Sequence, residues 1–255
     1  MAIKKITIET QINVEIIERD QFTWGNKKKI FVILAHPDDP EFFCGGTLHK
    51  WTEAGNVVEY CLLTHGEKGI NSKYQDLVGI KQKRQIEQKK AAKILGVHEV
   101  TYLNYTDGFL EATLDLRRDI VRVIRQRKPD VVVSSDPDAT FLRRGAINHP
   151  DHRAAGMSVV NAIFPAAQNA GFYPEMDKEG LHPHHVEELW LSLTNDPNVI
   201  MDVTEQWEKK ISAILAHRSQ IVDEGEFVQK MMNRKEILGQ QEGYFEKFKR
   251  IMIRK

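Results

Sequence analysis

From Lys29 onward the chain alternates short β-branched apolar runs with longer helical patterns. Lys29 to Ala35 (KIFVILA) is a continuous apolar strand. The pattern then predicts a helix over Gly45 to Ala54, a second strand over Val57 to Leu63, and a strongly helical stretch from Gly79 to Leu95 closed by Gly96. A third strand over Val100 to Leu103, a helix over Leu114 to Arg127 and a fourth buried strand over Val131 to Ser134 follow. Helices joining successive buried strands are the crossovers that a parallel sheet needs. The expected fold is therefore α/β: a Rossmann-like, doubly wound, mostly parallel sheet with helices on both faces.

Beyond Ser134 the pattern loosens. A helix is expected over Ala154 to Phe164, a loop rich in Pro, Gly and His over Pro165 to Glu187, and short strands over Glu188 to Leu193 and Val199 to Val203. Glu205 to Ser219 reads as a helix with Trp207, Ile211, Ile214 and Leu215 on one face. Residues 1 to 28 read as an N-terminal arm, lying along the outside or against another subunit. Residues 29 to 220 read as the main domain, and residues 221 to 255 as a C-terminal helical extension of it. No internal repeat or low-complexity linker interrupts them.

Composition narrows the partners. The 255 residues carry 36 Lys+Arg against 36 Asp+Glu, a formal charge of zero, so nothing at whole-chain level favours nucleic acid or an anionic membrane. Lys81 to Lys93 and Arg117 to Lys128 are basic, but their helical spacing reads first as solvated faces. No stretch approaches the roughly 18 apolar residues that would span a bilayer. The start of the chain lacks the continuous apolar stretch of a signal peptide, and two cysteines, Cys44 and Cys61, are too few for a disulfide framework. A reducing cytoplasm is the expected location.

The candidate chemistry sits at strand ends. His36-Pro37-Asp38-Asp39-Pro40-Glu41 follows the first strand, in the position where open α/β sheets bind ligands. His36 and Asp39 are three residues apart, so one turn can aim an imidazole nitrogen and a carboxylate oxygen at one point. The competing structural reading is that Asp38 and Asp39 merely cap the next helix. A second cluster, Asn148-His149-Pro150-Asp151-His152-Arg153, follows the fourth strand after a loop and repeats the His-Pro-Asp chemistry. Coincidence weakens when both clusters lie at matching strand ends. Together they offer two imidazoles and a carboxylate to a metal, an arrangement shared by catalytic zinc sites and by non-haem iron oxygenases. The spare carboxylate of Asp38 favours hydrolysis, which needs a base to take a proton from water.

His36-Pro37-Asp38-Asp39 with Glu41, followed by Cys44-Gly45-Gly46-Thr47, resembles the opening motif of the PIG-L (LmbE-like) family of zinc-dependent N-acetylglucosaminyl deacetylases. His149-Pro150-Asp151-His152 is similar to that family's second metal motif. Thr64-His65-Gly66-Glu67, Arg84 with Glu87, Leu95-Gly96, Asp107 and His217-Arg218-Ser219-Gln220 fall in the family's order, so the resemblance spans roughly residues 29 to 220. The length and the aromatic, basic ending resemble the diacetylchitobiose deacetylase subgroup.

By position, the resemblance implies that His36, Asp39 and His152 bind zinc, with other divalent metals open, and that Asp38 is the general base. Protonated His149 would stabilise the oxyanion, and Asp151 would orient His149 through a hydrogen bond. Arg84 and Asp107 would grip sugar hydroxyls. The implied substrate is a small N-acetylated amino sugar; a homo-oligomer is the expected assembly. Some relatives place a tyrosine just before the second motif, where this chain has Ile147 and Asn148. Arg143 and Arg144 are candidates to meet an anionic substituent; His182, His184 and His185 read as loop residues rather than a metal cluster. Two alternatives remain at this stage: a non-catalytic sugar- or partner-binding member of the same fold, and a non-haem iron oxygenase.

Overall fold

The computed structural model describes residues 15–17, 24–69, 77–142, 145–239 and 241–254 of the chain. Its elements in order are β1 (Glu15–Ile17), β2 (Lys29–Leu34), α1 (Asp39–Glu53), β3 (Val57–Thr64), α2 (Leu77–Ile94), β4 (Glu99–Tyr105), α3 (Leu114–Arg127), β5 (Val131–Ser135) and α4 (Pro150–Asn161). A π-helical turn (Ala162–Ala167), α5 (Pro174–Lys178), β6 (Glu188–Ser192), β7 (Val199–Asp202), α6 (Trp207–Ile214), α7 (Glu224–Met232), the short pair β8 (Glu236–Leu238) and β9 (Gln241–Gly243), and β10 (Phe245–Met252) complete it.

An eight-stranded sheet runs β1-β7-β10-β6-β5-β2-β3-β4. Strands β6, β5, β2, β3 and β4 are mutually parallel, with β2 against both β3 and β5. From β2 the chain winds outward through β3 to β4, then returns to the other side of β2 as β5. The direction of winding therefore reverses between β2 and β5, and the loops leaving these two strands flank the crevice where ligands bind in open α/β sheets. Both His-Pro-Asp segments leave those two strands.

The continuous apolar run of β2 is explained by burial on both faces. Ile30, Val32 and Leu34 face one core with Trp51, Tyr60, Trp190, Ile211 and Phe248. Phe31, Ile33 and Ala35 face the other with Leu116, Ile120, Ile124 and Val159. Each such large side chain contributes about 1.5–3 kcal/mol when removed from water. Helix α3 takes the expected span, starting where the Thr113 side chain accepts the Leu116 N–H. One member of its basic run is not solvated. Arg125 is buried and donates to the carbonyls of Ala166, Ala167, Asn169 and Phe172, satisfying the loop that follows α4. Helix α4 is pressed onto the end of β5: a Cβ on Gly156 would lie 2.2 Å from the Ser135 carbonyl oxygen. That close approach sets the height of His149 and His152 above the sheet.

Three expectations are corrected. Helix α1 begins at Asp39 instead of Gly45, with a break at Cys44 where φ is −146°. The loop from Pro165 to Glu187 contains the end of the π-helical turn and α5. Residues 221 to 255 are helical only through α7. Their end is β10, which lies inside the sheet, antiparallel to both β6 and β7. Phe248 and Tyr244 are buried in this subunit's own core. Glu246 is also buried, accepts the Gly46 and Thr47 N–H groups where α1 resumes after its break, and pairs with Lys210 at 2.6 Å. Cys44 and Cys61 are both buried free thiols. Of the N-terminal arm, β1 pairs parallel with β7 at the sheet's edge, and Trp24 packs on Trp51 and Trp190.

Candidate active site

The turn after β2 is built around an uncommon backbone. Asp38 has φ 85° and ψ −29°, a left-handed conformation that costs a non-glycine residue about 1–3 kcal/mol. Its side chain makes no capping bond to α1, so the capping reading fails for it. The carboxylate instead meets Arg84 Nη2 at 2.9 Å. Asp39 accepts the His36 backbone N–H at 2.8 Å through Oδ2, which also lies 3.4 Å from His36 Nδ1. Its Oδ1 lies 3.1 Å from His152 Nε2. One carboxylate thus bridges the two histidines that come from different strand ends.

Three imidazoles converge: the ring centroids of His36, His149 and His152 are 4.9, 5.2 and 5.3 Å apart. One nitrogen from each lies within 4.8 Å of the others, and His36 forms a second such group with Asp107 and Asp151. The tautomers follow from the neighbours. Asn148 Nδ2 donates to the Ala139 carbonyl, which leaves its Oδ1 to accept from His152 Nδ1 at 3.1 Å. The bond to Asn148 fixes a proton on His152 Nδ1 and turns Nε2 towards Asp39 Oδ1; a metal held there would take the Nε2 lone pair, the usual second-neighbour control of a metal-binding histidine. His149 is arranged the opposite way. Its Nδ1 accepts the Asp151 backbone N–H at 3.2 Å, so its proton is on Nε2. Burial, together with the charges of His36 and His152, lowers its pKa below the ordinary histidine value. With Nδ1 accepting, His149 presents Nε2–H as its donor towards the cluster.

Asp151 also takes a different place from the one expected. Its carboxylate accepts the Gly108 N–H at 2.7 Å and the Leu110 N–H at 3.2 Å and lies 3.2 Å from His36 Nε2. It orients His36 and the strand-end loop after β4, and its contact with His149 is through the backbone alone. Asp107 Oδ1 lies 3.1 Å from the same His36 nitrogen, while its Oδ2 accepts the Lys68 N–H. Arg84 is buried at 3% exposure, and its Nη atoms donate to Gly66 O, Pro37 O and Asp38. The two residues expected to grip sugar are therefore in the site, with the Nη atoms of Arg84 and both Asp107 carboxylate oxygens engaged by protein partners.

The charges around His36 suit a cation. Burial opposes ionisation of His36, yet the Asp39 charge and the bonds to Asp107 and Asp151 outweigh it and hold its pKa well above the ordinary range. Burial likewise pushes Asp39 upward, but His152 and His36 prevail and hold its carboxyl low. Asp39, Asp107 and Asp151 are all buried, so three carboxylates surround one imidazole. The donor set fits a divalent metal, which would supply the positive charge that a protonated His36 supplies here. Asp38 behaves differently: burial raises its carboxyl, Arg84 opposes, and Asp39 nearby adds to the rise, to about 6. It is the acid beside the cluster that neither histidine claims.

His182, His184 and His185 do not converge; each bonds a separate partner, Asp177, the Pro129 carbonyl and Gln168. Arg143 and Arg144 lie outside the described residues. Three residues escaped the sequence reading of roles: Asn148, Gln88 and Glu41. A signal for Gln88 exists in α2, whose buried stripe is Arg84, Glu87, Gln88, Ala91 and Ala92, a helical face that begins with polar residues.

A metal-binding cluster with an adjacent carboxylate, at the winding reversal of an α/β sheet, defines a class of metal-assisted hydrolase site. Residues 31–163 match the PIG-L family, described as GlcNAc-PI de-N-acetylase, and the chain belongs to this family. It is 33% identical over 205 residues to the diacetylchitobiose deacetylase of Thermococcus kodakarensis, covering 79% of this chain and 73% of that protein. It is 29% identical to a Bacillus anthracis protein named as a probable N-acetyl-alpha-D-glucosaminyl L-malate deacetylase 2, over 76% and 82% of the two chains. The structure of the N,N'-diacetylchitobiose deacetylase from Pyrococcus horikoshii superimposes with a TM-score of 0.80 at 29% identity, covering 89% of this chain and 85% of that one.

Proposed function

We propose that this chain is a metal-dependent N-deacetylase that releases acetate from an N-acetylglucosamine unit of a small sugar, disaccharide or glycoconjugate. The observation that carries the reading is Asp38: a half-buried carboxylate, paired with Arg84 Nη2 at 2.9 Å and raised to about 6, set beside a His/Asp cluster. A group with that pKa is ionised at neutral pH yet close enough to it to exchange a proton with a reacting water.

In the proposal His36, Asp39 and His152 hold the cation, and zinc is the proposed ion. When bound, it supplies Lewis acidity, which acidifies water and polarises an amide carbonyl. The remaining work falls to side chains. Asp38 takes a proton from water as the water oxygen bonds to the acetyl carbon, and returns it to the nitrogen as the C–N bond breaks, leaving acetate and an amine. His149 donates its Nε2–H to the carbonyl oxygen as negative charge gathers there, a contribution of about 3–4 kcal/mol to the barrier. Asp151 fixes the His36 ring. Arg84 and Asp107 remain the proposed sugar contacts, each having to exchange a protein bond for a ring hydroxyl. We keep a homo-oligomeric assembly and a cytoplasmic location in the proposal. Among the described residues no helix is long and apolar enough to cross a membrane.

The test is acetate and amine release from free N-acetylglucosamine, diacetylchitobiose, an N-acetylglucosaminyl malate glycoside and an N-acetylglucosaminyl inositol glycoside, each with zinc present. Equal amounts of acetate and new amine are expected from at least one, with or without oxygen. No release from any of them points to the non-catalytic alternative; oxygen-dependent turnover points to the oxygenase.

A further inference from the structure

The left-handed turn at Asp38 is held by a buried polar chain that the reaction does not itself use. The Asp38 backbone N–H donates to Gln88 Oε1 at 2.8 Å. Gln88 Nε2 donates to Glu41 Oε1 at 2.9 Å, and His217 Nε2 lies 3.2 Å from Glu41 Oε2. Gln88, Glu41 and His217 are each 0% exposed. Every link runs in one direction: Glu41 is the common acceptor, which fixes the Gln88 amide with its nitrogen towards Glu41 and its oxygen towards Asp38. Reversal of that amide would set two acceptors against each other at one end and two donors at the other.

Gln88 lies one helical turn after Arg84 on α2, so both face the same segment. Arg84 takes the carboxylate of Asp38 and the carbonyl of Pro37, while Gln88 takes the amide of Asp38. The residue is gripped by side chain and backbone at once, from two adjacent turns of one helix. A non-glycine residue stays in such a conformation only where its surroundings over-determine it.

We propose that Gln88 is a positioning residue for the catalytic base: its carboxamide, fixed by Glu41 and His217, holds the backbone of Asp38 in the turn that aims the carboxylate. The inference rests on the role proposed for Asp38. A methionine at this position matches the length of glutamine and removes both polar functions, freeing the turn to relax.

The experiment is a double-substitution cycle on the metal-loaded enzyme, reading kcat, KM and bound metal for wild type, Q88M, D38A and the double variant. Q88M is expected to lower kcat about 10- to 100-fold, with KM and metal content kept, the range for residues that orient a reacting group. Over the residual rate of D38A it should change nothing further, because the group it positions is gone. A general structural role predicts the same fold-loss in both backgrounds, and that additive result, or an unchanged kcat in Q88M, would overturn the inference. Loss of metal in Q88M would overturn it too. If Q88M fails to fold, Gln88→Asn keeps both functions but shortens their reach, and the same loss in kcat alone and the same non-additivity are expected. A D38A variant with full activity would overturn the base assignment and this inference together; an inactive D38A beside a fully active Q88M overturns the inference alone.

Discussion

Asp38→Asn is expected to retain its metal and its KM while kcat falls by about 10²- to 10⁴-fold, the usual contribution of a positioned base. Asparagine has the shape of aspartate and keeps an oxygen for Arg84 Nη2, which now sits 2.9 Å from the carboxylate. What it lacks is basicity. Because the base acts ionised, wild-type activity should rise as pH climbs through the Asp38 pKa and fall as pH drops below it. Burial places that value at about 6 without metal, and a nearby cation lowers it by favouring the carboxylate. D38N should lose this acidic limb along with its rate. Activity within a few-fold of wild type, at unchanged metal content, would remove Asp38 from the base role.

Loss of His152 should act on the metal first. His152→Ala removes the nitrogen, Nε2, that the bond from Nδ1 to Asn148 turns towards Asp39. Metal measured by elemental analysis after dialysis should fall from stoichiometric to trace, with acetate release lost in proportion. Asn148→Ala supplies the graded comparison: it leaves the ligand present but frees the ring, and about 10- to 100-fold of metal affinity should go. His36→Ala is a poorer probe, because it leaves Asp39, Asp107 and Asp151 buried without their positive partner, which costs folding energy of roughly 3–5 kcal/mol before any metal is counted. A stoichiometric metal content in H152A would reassign the ligand set.

The two turns that bring His36, His149 and His152 together were legible because each depends on local spacing. His36 and Asp39 share one turn, His149 and His152 another, and the βα alternation places both turns at carboxyl ends of strands. The winding reversal between β2 and β5 then brings the turns together, which the alternation of strands and helices alone did not order. What stayed hidden came from long range. The Asp151 carboxylate is held by Gly108 and Leu110, more than 40 residues away, and nothing near Asp151 in sequence announces it. Gln88 sits among lysines and reads as a solvated face, although the stripe from Arg84 to Ala92 marks the buried side. Strand β10 was masked by chemistry: in Phe245-Glu246-Lys247-Phe248 an inward position is held by Glu246, whose burial depends on Lys210 and two backbone N–H groups from α1. An acid at a core position breaks the apolar alternation by which a strand is recognised.

Metal dependence of acetate release tests the central claim most directly. The protein is stripped with a chelator, assayed on diacetylchitobiose or the best substrate found, then assayed again after adding zinc back. The account predicts no acetate from the stripped protein, recovery on reconstitution, and one amine formed for each acetate. Full acetate release from verified metal-free protein, or none from protein carrying stoichiometric zinc on any N-acetylglucosamine substrate, would contradict it.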